Sequence, residues 1–456
     1  MRLLTQSPVN IYSSYHGGVS AWFRHNLVAA SLIIFFASTA PRVFLTWRAS
    51  PADLVISYPD AGTYIGPAQN LSRHQAFLNW DGKPEVTRTP GYPAFLAIIM
   101  LMVGEDLRRV LIIQAFILSF EVLVFYWFAR RILPPVTAFI AGLLAAFSPW
   151  GAVYAGLPLT EGLFLLLLAL IFFSMKITAE AKNQTAVAVG GACTGLLMAA
   201  AVLVRPIWPL VLLIGGTFFL LYGPKRKGVW LLLSIVIVFA VTPLFLWKTR
   251  NQQVSQFNGL SDIAGVCPWQ FLASRVTARI NNQDRWTVMR EAHSGEQNWK
   301  MSIQQADQER WRRAKAVFIE HPVLTSYYFL LNGTEHAIHP SPDVLSPAKL
   351  NFYGDYWVLA VLWGGLLILA CLGWQYNADR DFQNGTTNRN WLSGILVICL
   401  LLTLSSGVCF GGGSRLRVSL ELIVPLLAAA GLSRIVFQQS LRRLPTASNK
   451  IELGMT

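Results

Sequence analysis

The chain has 456 residues, 54% of them hydrophobic and only 13% charged, with a formal net charge of +14. Apolar stretches that approach or exceed about 18 residues recur along it, among them 27–44, 111–129 and 229–247, which excludes a soluble globular domain and points to a polytopic helical membrane protein. In such a protein the positive charge reads as basic loops facing anionic lipid and the cytoplasm, and no nucleic-acid partner is expected.

In chain order, hydropathy predicts spans near 27–46, 110–129, 135–150, 158–176, 185–204, 206–222, 229–247, 354–374, 391–410 and 417–437. The residues before the first span are rather polar and show no cleavable signal peptide. The even number of spans puts both termini on one side. Lys and Arg in the short connections (Arg130, Arg131, Lys176, Lys182, Lys225, Arg226, Lys227, Arg380 and Arg389) and in the tail (Arg442, Arg443 and Lys450) make that side the cytoplasm. The short turn 151–157 on the other side carries none.

Between the first two spans lies the apolar run Tyr92–Gly104, thirteen residues long. A spanning helix needs roughly 20, so this run is expected to lie in the interface as a helix over Tyr92–Val103. If it crossed, every later segment would invert and 225–227 would face outward against the charge rule. The predicted organisation is a membrane module 1–247 holding a first outer loop 47–109, a large extracytoplasmic loop 248–353, C-terminal transmembrane helices 354–437 and a cytoplasmic tail 438–456. Within the large loop, Ser302–Ile319 reads as an exposed amphipathic helix that ends before His321-Pro322. There is no internal repeat.

Several polar residues stand where chemistry at a membrane surface would use them. Asp60, in Tyr58-Pro-Asp-Ala-Gly-Thr-Tyr64, keeps helical spacing with Tyr64, Ala68 and Leu71, and Pro67 suits the first turn of a following helix. An isolated loop aspartate also reads as a cap or a solvated charge. Arg88, in Arg-Thr-Pro-Gly-Tyr92-Pro, adjoins a rigid turn opening the interfacial helix. A guanidinium there grips phosphate through two parallel hydrogen bonds, or simply snorkels to the interface. Arg205, Lys248, Arg250, Arg415 and Arg417 sit at outer ends of spans, against the usual charge bias, and favour an anionic partner such as a lipid phosphate. Glu421, one turn beyond Arg417, pairs with it in the simplest reading. Glu161 opens a span, either as a functional boundary acid or as a first-turn acid behind a Thr160 cap.

Other features read as structural. Cys193, Cys267, Cys371, Cys399 and Cys409 show no CxxC spacing and read as packing residues. His336 and His339 have an i,i+3 spacing with no carboxylate at convincing spacing to complete a metal site. Gly411, Gly412 and Gly413 form a flexible turn, and no Walker, GxSxG or HExxH motif occurs. No metal or other cofactor is expected.

Taken in order, Asp60 with Tyr64, Ala68 and Leu71, Arg88-Thr-Pro-Gly-Tyr-Pro93, Ser148-Pro149, Thr160-Glu161, Arg205-Pro206, Trp247-Lys-Thr-Arg-Asn251 and Ser414-Arg-Leu-Arg417 with Glu421 resemble the polytopic glycosyltransferases of the GT-C superfamily. The likeness is to the glycosyltransferase 39 type, the branch of the protein O-mannosyltransferases and the lipid A aminoarabinose transferase. It implies an all-α GT-C fold, about ten transmembrane helices plus interfacial helices in the first outer loop. It also implies a sugar donor carried on a polyprenyl phosphate and used on the outer face of the cytoplasmic membrane, where nucleotide sugars are not available. The acceptor would be a lipid, a glycan or a protein. In that setting Asp60 is the expected catalytic base. Arg88, Arg250, Arg415 and Arg417 are expected at the donor phosphate, and Tyr64, Tyr92, Glu161 and Arg205 in substrate-binding or structural roles. One departure stands out: mannosyltransferases commonly carry an acidic pair where this chain has Asp60-Ala61. Two rivals remain at this stage, a surface-polysaccharide polymerase or ligase and a transporter or flippase of lipid-linked sugars.

Overall fold

The structure, a computed structural model, describes residues 21–23, 25–207, 215–216, 229–297, 299–339, 355–384, 387–409, 415 and 417–442. Among the described residues seven helices are long and apolar enough to cross a membrane: Leu27–Arg48, Leu107–Ala129, Glu161–Glu180, Gln184–Val204, Val229–Ser255, Trp357–Gln375 and Asn390–Val408. Pro135–Ala146 and Pro149–Gly156, bent by 54° to one another, add an eighth if they count as one span. The chain is a multi-pass membrane protein.

Most expected spans therefore fall on helices. The segment 135–150 differs, because Pro149 lacks the N–H needed to continue the first helix and instead starts a new one. Ser148 caps that new helix by accepting the Gly151 N–H at 3.3 Å. The segment 417–437 falls on Leu420–Arg442, packed so tightly on Asp355–Asn384 that Gly373 and Gly431 leave no room for a Cβ. The segment 206–222 lies almost wholly outside the described residues, as do 225–227, Gly411–Gly413 and most of the tail.

Two other boundaries differ. The helix expected to start at Pro67 starts at Asp60 and carries Pro67 inside it, through His74. Burial of Ala61, Ile65, Gly66, Pro67 and Ala68 along one face outweighs the hydrogen bond that the proline forfeits. The helix expected to end at Trp247 runs on to Ser255, because Lys248-Thr-Arg-Asn251 contains no breaker, and it carries Arg250 beyond the apolar stretch.

The short apolar helix spans Gly91–Val103 and stops at Gly104, whose φ of 80° suits glycine. It packs against Asp60–His74, and its first residue touches the end of Gln184–Val204. A Cβ on Gly91 would stand 2.7 Å from the Leu203 carbonyl carbon and oxygen, which are backbone and cannot swing aside. Gly91→Ala is therefore expected to destabilise the protein by about 1–3 kcal/mol through overpacking. A thermal melt of the detergent-solubilised variant checks this, and a midpoint equal to wild type would show that the contact yields.

In the large loop, Ile303–Glu320 is the expected amphipathic helix. It opens on a capping box in which Ser302 and Gln305 bond reciprocally, and Pro322 starts the next helix, Pro322–Ile338. The large loop docks on the first at Thr87, whose carbonyl accepts the Ser261 hydroxyl at 2.5 Å.

Candidate active site

The site starts at the first turn of Asp60–His74. Asp60, Thr63 and Tyr64 share one helix face, and Arg88 lies across it. Its Nη2 donates to Asp60 Oδ1 at 2.7 Å, its Nε to Thr63 Oγ1 at 2.8 Å and its Nη1 to the Tyr64 hydroxyl at 3.1 Å. The guanidinium also stands 4.6 Å from the Tyr64 ring centroid. The turn carrying Arg88 is fixed by Glu85, whose Oε1 accepts the backbone N–H groups of Thr87 and Arg88 at 2.5 and 2.9 Å.

Arg415 joins this pair to a second carboxylate. Its Nη2 is 3.4 Å from Asp60 Oδ2 and its Nε 3.0 Å from Glu161 Oε1. Arg205 Nη1 reaches the same Glu161 oxygen at 3.4 Å. Three guanidiniums thus surround the Asp60 and Glu161 carboxylates, with the Glu85 carboxylate behind Arg88. Exposure divides the two acids: the Asp60 side chain is 48% exposed and that of Glu161 only 1%. Burial tends to raise the Asp60 pKa, but Arg88 and Arg415 outweigh it and hold the carboxyl below its ordinary value.

Six of the expected residues therefore converge: Asp60, Tyr64, Arg88, Glu161, Arg205 and Arg415. Tyr92 adjoins them through an edge contact with the Tyr64 ring at 5.3 Å, while its hydroxyl donates inward to Gln114 Oε1 at 2.8 Å. Arg250 and Arg417 stand elsewhere. Arg250 donates to the Glu85 and Phe77 carbonyls at 2.5 and 2.9 Å and stacks 4.9 Å from the Trp247 ring, so it clamps the first loop. Arg417 is fully buried between Trp363, at 3.9 Å, and Trp150, at 4.8 Å, and pairs with Glu421 at 3.8 Å. Thr160 makes no side-chain cap, and the ion pairs of Glu161 replace the capping account.

Thr63 and Glu85 are recruits that spacing did not single out. A buried Arg42–Glu121 pair at 3.1 Å was also missed, although a charge inside each of two apolar spans was the available signal. His336 is committed to Ser406, at 2.9 Å, and among the described residues no three His, Cys, Asp or Glu side chains converge on a metal position.

At the level of sequence, no protein-family model and no curated protein matches the chain. Solved structures do match. The archaeal oligosaccharyltransferase AglB of Archaeoglobus fulgidus, in complex with an inhibitory peptide and a dolichol-phosphate, superposes with a TM-score of 0.55 at 13% identity over 95% of this chain and 53% of its own. The same enzyme tethered to an acceptor peptide gives 0.57 at 13% identity, covering 94% and 52%. ArnT of Cupriavidus metallidurans bound to undecaprenyl phosphate covers 91% and 78% at 14% identity, but its TM-score of 0.39 is too low to compare architecture. The chain has the GT-C fold shared by polytopic glycosyltransferases. It spans about half the length of the archaeal enzyme it matches.

Proposed function

We propose that this protein is a membrane glycosyltransferase that moves a sugar from a polyprenyl-phosphate donor to an acceptor on the outer face of the cytoplasmic membrane, with inversion at the anomeric carbon. The observation that carries this reading is the half-exposed Asp60 carboxylate held by Arg88 and Arg415, with Arg415 and Arg205 sharing the buried Glu161 behind it. Both termini lie in the cytoplasm and the loop-bearing end faces outward in this reading.

The acceptor hydroxyl attacks the anomeric carbon and gives its proton to Asp60. The bond from that carbon to the phosphate oxygen breaks, and its electron pair passes to the departing polyprenyl phosphate. Arg415 and Arg205 receive the growing charge, the main electrostatic contribution. Arg88 has Nε, Nη1 and Nη2 each engaged by Asp60–His74, so its role is to orient Asp60 rather than to grip phosphate. Arg250 and Arg417 hold the scaffold. No cofactor enters this scheme, because guanidiniums already neutralise both carboxylates. The large loop, docked beside Arg88, is placed to meet the acceptor, which is a lipid, a glycan or a protein.

The test is incubation of purified protein with a panel of polyprenyl-phosphate sugars and hydroxyl acceptors, followed by mass analysis of the lipids. Consumption of one donor with release of polyprenyl phosphate is expected. Movement of intact donors across vesicles with no transfer would replace this reading with a transporter.

A further inference from the structure

Arg415 and Arg417 stand two residues apart and face different surroundings. Arg415 reaches Asp60 and Glu161 and keeps 24% of its side chain exposed, whereas Arg417 is fully buried. The Arg417 guanidinium lies between the Trp363 and Trp150 rings, which stand edge to face at 5.2 Å. Its Nη1 donates to the His339 carbonyl, just past the end of Pro322–Ile338, and its Nε stands 3.8 Å from Glu421 Oε1.

The walls of this seat are themselves tied down. Trp363 Nε1 donates to the Ala337 carbonyl at 2.9 Å, so the end of one large-loop helix holds both the ring and the guanidinium stacked on it. Ser148, the cap of the helix that carries Trp150, donates to Glu421 Oε2 at 2.7 Å. Beyond Arg417, the Ser419 hydroxyl donates to the Cys399 carbonyl of the Asn390–Val408 span at 3.0 Å. The same large-loop helix grips the end of that span: the fully buried Asn332 donates to the Gly407 carbonyl at 2.8 Å, and His336 Nδ1 meets the Ser406 hydroxyl at 2.9 Å. A guanidinium stacked on two rings is fixed in plane as well as in place, which an ammonium is not.

We propose that Arg417 is a positioning residue for the transfer reaction: it fixes the chain two residues from Arg415, so that Arg415 meets Asp60 at 3.4 Å and Glu161 at 3.0 Å and faces the departing phosphate. A buried ion pair contributes little net stability over apolar side chains of similar volume, which leaves orientation as the use of this one. The inference rests on the reading of Arg415 as the group that receives the phosphate charge.

The test is a double-mutant cycle between Arg417→Lys and Arg415→Gln in the full-length, detergent-solubilised protein, with turnover normalised to folded protein. In the otherwise wild-type chain, Arg417→Lys is expected to lower kcat by about tenfold or more and to leave the donor KM within about twofold, because Arg415 acts as the bond to phosphate breaks. In Arg415→Gln the same substitution should change kcat by less than about twofold, because the group it orients is gone. A loss of equal size in both backgrounds would overturn the proposal. If Arg417→Lys does not fold, Arg417→Met/Glu421→Gln takes its place, since it removes both members of the buried pair and leaves neither charge stranded. Thermal midpoints read the same coupling without any transfer. Arg415→Gln should lower the midpoint of the wild type more than that of Arg417→Lys, in which Arg415 no longer sits squarely on its two carboxylates. Where the wild type consumes no donor, the glycosyltransfer reading fails and the midpoints decide: equal drops overturn the positioning role, and unequal drops uphold it.

Discussion

Asp60→Asn is expected to lower donor consumption by roughly 10²–10⁴-fold, the contribution typical of a positioned general base, while leaving the protein folded. The fold survives because the side chain is half exposed, so its two ion pairs contribute only about 1 kcal/mol or less each. The effect on rate is large because among the described residues no other accessible carboxylate stands in the cluster: Glu161 is sealed beneath Arg205 and Arg415. A carboxylate held below its ordinary pKa is a weak base, which suits a reaction in which the hydroxyl sheds its proton late, as its bond to the anomeric carbon forms. The pH dependence follows in sign. With its folded pKa lowered, Asp60 stays charged through neutral and mildly acidic solution, and its stabilising contribution is full above the unfolded value. That contribution and the transfer rate are both lost as pH falls through the lowered folded value. Stability–pH curves of wild type and Asp60→Asn should run a constant offset apart above the unfolded value and converge on that acid limb. Wild-type turnover in Asp60→Asn would remove the residue from the chemistry.

The sequence made the spans, the short apolar helix over Tyr92–Val103 and the amphipathic helix over Ser302–Ile319 legible, because each depends on local pattern: apolar run length, or the spacing of apolar positions. The convergence of Asp60, Arg88, Glu161, Arg205 and Arg415 was legible only as a set of residues at one end of the spans. The pairings among them depend on tertiary packing between segments far apart in sequence. Arg250 and Arg417 show the same limit from the other side. As charges at span ends they looked like the rest, and only the aromatic rings and carbonyls around them mark them as structural. Pro67 misled because its local preference for a helix start was overridden by burial on both sides of it.

Glu161→Gln is expected to cost both stability and activity. Glu161 is the buried carboxylate on which Arg205 and Arg415 both lean, at 3.4 and 3.0 Å. Neutralising it leaves two guanidiniums facing one another with no anion between them, and breaking a buried pair from one side typically costs 3–5 kcal/mol. Arg415 would also lose the contact that sets its angle to Asp60, so transfer should fall by at least tenfold even where the protein folds. A second substitution separates the two consequences. Glu161→Gln/Arg205→Gln removes one of the stranded charges and should recover part of the lost thermal midpoint. Transfer should stay low, because the charge that receives the departing phosphate has been removed together with its support. Recovery of stability and rate together would make Glu161 a purely structural residue. A wild-type midpoint and rate in Glu161→Gln itself would show that the buried carboxylate holds neither arginine in place.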